Sequence, residues 1–229
     1  MGESTVAEVM SRHLITAEPD TGFKELIATV TAHDLSGVPV LDVAGRAVGV
    51  VSERDLLTKL EYHGGTDPAP LLPGSLCRAR WRKSCALVAG DLMSSPAITT
   101  PAHTPVGVAA HTMATHRLCL LCVTDHAGHL IGVLTRADLL RLYLRADGVI
   151  QADIDAAIDT YLDSALAETM RAPHRVSVEV HDAIVTLQGT VNMHSTAIHA
   201  ARTAHHVSGV IAVHNHIQFD IDDQIITGM

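Results

Sequence analysis

Gly49-Val50-Val51-Ser52-Glu53-Arg54-Asp55 and Gly132-Val133-Leu134-Thr135-Arg136-Ala137-Asp138 lie 83 positions apart and read alike. Each has a glycine, an apolar strand, a hydroxyl residue and an aspartate three places on. Extending the same register outward pairs Met10-Ser11 with Met93-Ser94, Ile15-Thr16 with Ile98-Thr99, and Asp42 and Gly45 with Asp125 and Gly128. Over residues 8–57 the ungapped match has 17 identities in 50 positions, too regular in one register for coincidence. Two copies at so long a period describe a duplicated domain packed as a pair.

Each copy reads as β-α-β-β-α. In the first, Leu14-Ile15-Thr16 is a short strand. Glu18–Thr21 is a turn, and Leu26, Ile27 and Val30 then recur at helical spacing to about His33. Gly37–Leu41 and Ala47–Val51 are strands joined by a turn at Asp42–Gly45, and Ser52 caps a helix to about Leu60. The second copy predicts elements over Ala97–Thr99, Thr104–His116, Cys119–Thr124, His129–Leu134 and Arg136–Leu144.

The strand-to-helix junction carries the chemistry. Glycine lets another group approach the backbone. A hydroxyl residue at a helix N-terminus lies where unpaired N–H groups favour an anion. The aspartate in the first helical turn can accept from a donor pair such as a ribose diol. Phosphate, ribose and an apolar strand for a base together suit a nucleotide. The same spacing equally describes a capping box, with Asp55 and Asp138 satisfying the backbone of Ser52 and Thr135. Both readings stand on the sequence.

The repeat, its element order, the Val9-Met10 and Leu92-Met93 starts and the Ser36-Gly37-Val38-Pro39-Val40-Leu41-Asp42 run resemble a tandem pair of CBS (cystathionine-β-synthase) domains. That resemblance implies a pseudo-twofold pair with two clefts that take AMP, ADP, ATP or S-adenosylmethionine as a regulatory ligand, and no required cofactor. It implies that Asp55 and Asp138 hold ribose hydroxyls, with Ser52 and Thr135 near phosphate. Thr16 and Thr99 would stand at the cleft wall, and Gly37, Val38, Pro39, Leu118 and Leu120 would line the base pocket. Arg54 would be one phosphate ligand in the first cleft, replaced by Ala137 in the second. There Arg136 replaces Glu53 and Arg117 replaces Asp34. Cys119-Leu120-Leu121-Cys122 stands where the first copy has Ser36-Gly37-Val38-Pro39, so the clefts are expected to be unequal.

Residues 6–62 and 88–146 are thus the repeats. Between them, 63–87 is a linker with Gly64-Gly65, Pro68, Pro70, Pro73 and Gly74, followed by the helix-compatible basic cluster Arg78, Arg80, Arg82 and Lys83 around Trp81. The cluster reads as a phosphate-neutralising or partner surface, or as a solvated helix face.

Past Asp147-Gly148 the pattern changes. Ile150, Ile154, Ile158, Leu162 and Leu166 make an amphipathic helix, closed at Pro173. Val176, Val178 and Val180 alternate as a strand. His181-Asp182-Ala183 turns into Val185 and Leu187, with an exit at Gly189. A helix follows through Ala197 and Ala204. Val210, Val213, Ile217 and Phe219 form a last strand whose spacing admits a bulge. This α-β-β-α-β segment, 150–221, resembles a BON domain through Val178–Val191, Val207–Val210 and Val213–Ile217. The family usually has glycine where Ala183 stands, so a different hairpin turn is expected. The resemblance implies docking to a protein, to a second copy or to a membrane surface.

Composition sets limits. With 47% hydrophobic and only 3% aromatic residues, the core is aliphatic. A net charge of −9 opposes nucleic-acid binding. No apolar run is long enough for a transmembrane helix, and an acidic start lacking signal-peptide features makes a cytoplasmic protein the expectation. The four cysteines are then free thiols. Cys119-x-x-Cys122 has zinc-like spacing, but residues three apart on a strand point to opposite faces, so no metal is expected there. His205, His206, His214 and His216 are a weaker metal candidate. With no P-loop, nucleophile elbow or His-Glu-x-x-His motif, the chain reads as a non-enzymatic sensor of an adenosyl ligand that relays to an unknown regulated protein, as a homodimer through the CBS pair. The alternative is a structural adaptor with empty clefts.

Overall fold

A computed structural model describes residues 4–70, 76–166 and 175–223. Pro73, Gly74 and Pro173 lie outside the described residues. The chain divides into two compact units, one of Thr5–Leu139 and one that takes up the chain from Leu140.

The first unit runs α1 (Val6–Val9), α2 (Phe23–His33), β1 (Gly37–Leu41), β2 (Ala47–Ser52), α3 (Glu53–Glu61), α4 (Leu76–Cys85), α5 (Ala89–Leu92), β3 (Thr99–Pro101), α6 (Val106–Thr115), β4 (Leu120–Thr124), β5 (Leu130–Thr135) and α7 (Arg136–Arg141). β1 pairs antiparallel with β2, and β4 with β5, with one irregularity near the end of each hairpin. α2 and α6 both give way to a residue in the left-handed region, Asp34 and Arg117, at equivalent positions.

The leading strand differs between copies. β3 pairs in parallel with β4, two residues later than the sequence suggests. In the first copy Leu14–Thr16 is not a strand, and a single parallel bridge, Ala17 with Val40, takes its place. The reason is Pro39. Its counterpart Cys122 donates its backbone N–H to the Ile98 carbonyl at 3.4 Å. Proline has no N–H to give Ile15, so the ladder shrinks to the bonds around Ala17.

The two copies also exchange their opening segments. Val6 donates to the Thr104 carbonyl, and Ser11 and Val133 exchange backbone bonds at 2.9 and 3.0 Å. Ser94 and Val50 do the same at 2.8 and 3.1 Å, and Ala89 donates to Thr21. Val6 accordingly sits in the second copy's core with Ala109, Met113, Leu121, Val123 and Leu134. Ala86, Ala89 and Leu92 complete the first copy's core with Leu26, Val30, Val38, Val40 and Val51. A third cluster, Leu120, Cys122, Leu130 and Val133 with Leu14, Leu41 and Val50, joins the two sheets.

The second unit runs α8 (Asp147–Leu166), β6 (Arg175–His181), β7 (Ile184–Met193), α9 (His194–His205) and β8 (Ala212–Ile221). β6 is antiparallel to β7 and β7 parallel to β8, in the order β6-β7-β8. Ile150, Ile154 and Ile158 of α8 and Ala197, Ala200 and Ala204 of α9 pack on Val178, Val185, Leu187, Val191 and Ile217. β7 continues through Gly189 to Met193 rather than leaving there, and β8 keeps one register along β7 without a bulge. At the hairpin both Asp182 and Ala183 are left-handed, φ 51° and 60°. Alanine pays for that conformation where glycine would not. Asp147 offsets it by accepting the N–H groups of Asp182 and Ala183, each at 2.9 Å.

Candidate functional site

The two junctions are built almost identically. The Asp55 carboxylate accepts through Oδ2 from the Ser52 backbone N–H at 2.9 Å and from its hydroxyl at 2.6 Å. The Asp55 N–H returns a bond to the Ser52 hydroxyl at 3.3 Å. Asp138 makes the matching set with Thr135 at 2.9, 2.6 and 3.2 Å. Both are capping boxes, so one of the two sequence readings is realised. A carboxylate has a second oxygen, so capping does not by itself forbid a ligand.

At Asp55 that second oxygen is occupied. Lys83 Nζ lies 2.6 Å from Oδ1 and 2.9 Å from the Ser94 hydroxyl. The pair is largely enclosed, with Lys83 19% and Asp55 13% exposed. Part of the basic cluster on α4 is therefore turned inward, while Arg82 stays exposed. Lys83 turns in to Asp55, Arg80 to Glu61, and Trp81 donates its indole N–H to the Asp67 carbonyl at 2.8 Å. The Lys83 and Arg80 contacts lay α4 against α3.

The glycines of the two junctions serve the protein itself. A Cβ on Gly49 would meet Met93 Sδ at 2.4 Å, and one on Gly132 would meet Met10 Sδ at 2.4 Å. The group approaching each backbone is the opening methionine of the other copy.

Cys119 brings the second copy to the first junction. Its Sγ lies 3.3 Å from where a Gly37 Cβ would stand. Burial foremost pushes its thiol pKa up, the nearby carboxylates of Asp55 and Glu53 add to this, and Arg136 acts against it. Burial drives Cys122 further, to about 12. Burial disfavours the thiolate at both positions. Arg136 donates from Nε to the Leu118 carbonyl at 2.8 Å.

The remaining expected residues divide by face. Val38 is fully buried in the first copy's core, not on the face expected to line a pocket. Gly37 and Pro39 alternate with it and share the face of Leu41, which packs between the copies. Leu120 is on the corresponding face of β4, buried between the sheets, while Leu118 packs against the second copy's core. Thr16, Thr99, Arg54 and Arg117 are exposed. Sequence reasoning missed Lys83 and Ser94 as members of this site. Lys83 lies in the unrepeated linker, where the internal alignment is silent.

Among the described residues one group of side chains has metal-like proximity, Asp147, His181 and Asp182, and it contains none of the residues singled out above for metal binding. Its carboxylate at Asp147 is already spent on the hairpin N–H groups. No helix among the described residues is long and apolar enough to cross a membrane.

An α+β duplication of this kind, with its reciprocal opening segments and paired junctions, is a CBS pair, followed here by a BON fold. The CBS domain model matches residues 6–62 and 89–145, and the BON domain model residues 154–220. The chain belongs to the CBS domain-containing proteins and carries a BON domain behind its CBS pair. It is 31% identical over 140 residues to a CBS domain-containing protein of Dictyostelium discoideum, covering 61% of this chain and 91% of that one. An uncharacterized protein of Methanopyrus kandleri is 26% identical over 142 residues, and the chain spans 64% of its length. The crystal structure of CBSX2 in complex with AMP matches with a TM-score of 0.52 and 27% identity over 61% of this chain and 96% of that one. CBSX2 is a chloroplastic CBS domain-containing protein of Arabidopsis thaliana.

Proposed function

We propose that the protein is a non-catalytic cytoplasmic sensor whose CBS pair binds an adenosyl ligand and relays its presence to a partner, through the BON domain or a homodimer. The observation that carries this is the AMP complex of CBSX2, whose fold the chain shares across its CBS pair. The ligand sites are the two junctions. Asp55 and Asp138 supply ribose acceptors, Ser52 and Thr135 lie at the helix N-termini toward phosphate, and Gly37, Pro39 and Leu120 lie on the strand faces toward the other copy. Arg54, Arg117 and Arg136 are the nearby cations.

Calorimetric titration with AMP, ADP, ATP, S-adenosylmethionine and NADH tests this. A micromolar site corresponds to about −8 kcal/mol. Binding that survived Asp55→Ala together with Asp138→Ala would remove the site assignment. A second reading, a structural adaptor with unoccupied clefts, draws support from one observation. Asp55 has its Oδ2 taken by Ser52 and its Oδ1 by Lys83. Absence of binding by every ligand would favour it. The BON domain is the docking module in either reading, and pelleting of the chain with liposomes tests a lipid surface against a protein one.

A further inference from the structure

Lys83 comes from the unrepeated linker and closes the Asp55 junction. We infer that it selects the ligand of that junction, so that the first cleft admits an adenosyl compound carrying a phosphate and rejects neutral or cationic ones. The inference rests on the nucleotide reading and deepens it.

The argument is one of charge. Asp55 has a single oxygen left after capping α3, and Lys83 holds it at 2.6 Å. A ribose hydroxyl that takes Oδ1 therefore competes with the ammonium for that oxygen. Lys83 is four-fifths enclosed, at 19% exposure, and its other partner, the Ser94 hydroxyl, is neutral. An enclosed ammonium stripped of its carboxylate is strongly disfavoured unless another anion replaces it. AMP brings that anion on the same molecule that competes with the lysine. A lysine side chain is a flexible point charge and can move from carboxylate to phosphate without moving its helix. Adenosine brings no anion. S-adenosylmethionine places a sulfonium cation next to its ribose, and its one carboxylate, at the far end of the methionine arm, is accompanied by an ammonium, so its net charge is positive. Selection thus follows from a residue absent from the repeat, which separates this cleft from the one at Asp138.

Trp81 is the sole tryptophan and sits on the Lys83 helix, α4, so its emission is read for movement of that helix. The test titrates AMP, adenosine and S-adenosylmethionine into the full chain and into Lys83→Met, read by calorimetry and by Trp81 emission. With Lys83 present, AMP binds at least about tenfold more tightly than adenosine or S-adenosylmethionine at the site that Asp55→Ala abolishes. In Lys83→Met that preference falls below about threefold, chiefly because adenosine gains. Lys83→Gln, which keeps a donor on Asp55 without the charge, makes the same comparison should Lys83→Met melt. Equal affinities in the wild type, or a preference that both variants leave unchanged, overturns the inference while nucleotide binding stands. No binding of any of the three to any of the proteins removes the nucleotide reading and this inference with it.

Discussion

Gly49→Ala probes the exchange of opening segments directly. The added Cβ would stand 2.4 Å from Met93 Sδ, 2.8 Å from its Cγ and 3.0 Å from the Ser94 carbonyl oxygen. Ordinary carbon contacts lie at about 3.5–4.0 Å, so more than about 1 Å must be recovered. The thioether can swing, but it packs against the first copy's core, and the Ser94 carbonyl is held by the Val50 N–H at 3.1 Å. Overpacking of this kind costs about 1–3 kcal/mol. In a chain of this size each kcal/mol lowers Tm by about 2–4 °C. Urea unfolding followed by Trp81 emission reads the unit concerned. Met93→Ala removes the obstruction at the expense of a partial cavity, so the double variant should be less destabilised than the two singles added, by about 1 kcal/mol. Gly132→Ala should couple to Met10→Ala in the same way, because a Cβ there meets Met10 Sδ at the same 2.4 Å. The crossed pairs, Gly49 with Met10 and Gly132 with Met93, should be additive within about 0.5 kcal/mol. Coupling in the crossed pairs, or none in the matched ones, would refute the exchange.

Other outcomes follow from the same structure. In Ellman titration at mildly alkaline pH the exposed Cys77 and Cys85 react quickly, Cys119 slowly, and Cys122, held near 12 by burial, only in denaturant. Fast release of all thiols would contradict the packing between the sheets. Asp147→Ala strips two N–H groups of their acceptor and should destabilise the second unit by about 1–3 kcal/mol. Ala183→Gly should recover part of that loss by relieving the left-handed alanine, measured by chemical denaturation of the double variant. The turn carboxylates Asp42 and Asp125 are held below the ordinary value, first by the backbone N–H groups of Arg46 and His129. A carboxyl depressed in the folded state stabilises above its unfolded pKa and loses that contribution as pH falls through the folded one. Asp42→Asn with Asp125→Asn should therefore flatten the acid limb of the stability profile, and an unchanged limb would exclude these turns as its source.

The sequence was most legible where structure is local. The strand–turn–strand hairpins, the caps at Ser52 and Thr135 and the alternation of β6 all follow from residues within a few positions of one another. It was least legible where distant segments decide. Internal identity at a fixed shift reports that two segments share a conformation. It does not report which copy each one packs against, so the Met10 and Met93 starts read as parts of their own repeats although each completes the other. Pro39 had a visible local meaning, yet its effect is the loss of one N–H and with it a strand, which needs the partner at Ile15 to be seen. Ala183 flagged an unusual turn, but its compensation comes from Asp147 on another element.

Of the two meanings of the junction spacing, capping is realised, and it leaves room for the other. Capping uses one carboxylate oxygen and is fixed by local geometry, which is why Asp55 and Asp138 match to within 0.1 Å in every bond to their hydroxyl residue. Ligand recognition would use what lies beyond that oxygen, and this is not set by the repeat. At Asp55 it is set by Lys83 and Ser94, and on the opposing side by Cys119 and Arg136, whose counterparts in the first copy are Ser36 and Glu53. Duplication therefore conserves the frame of the site while the linker and the exchanged segment decide its chemistry. A difference in ligand preference between the two clefts should accordingly track substitutions at Lys83 and leave the capping boxes untouched.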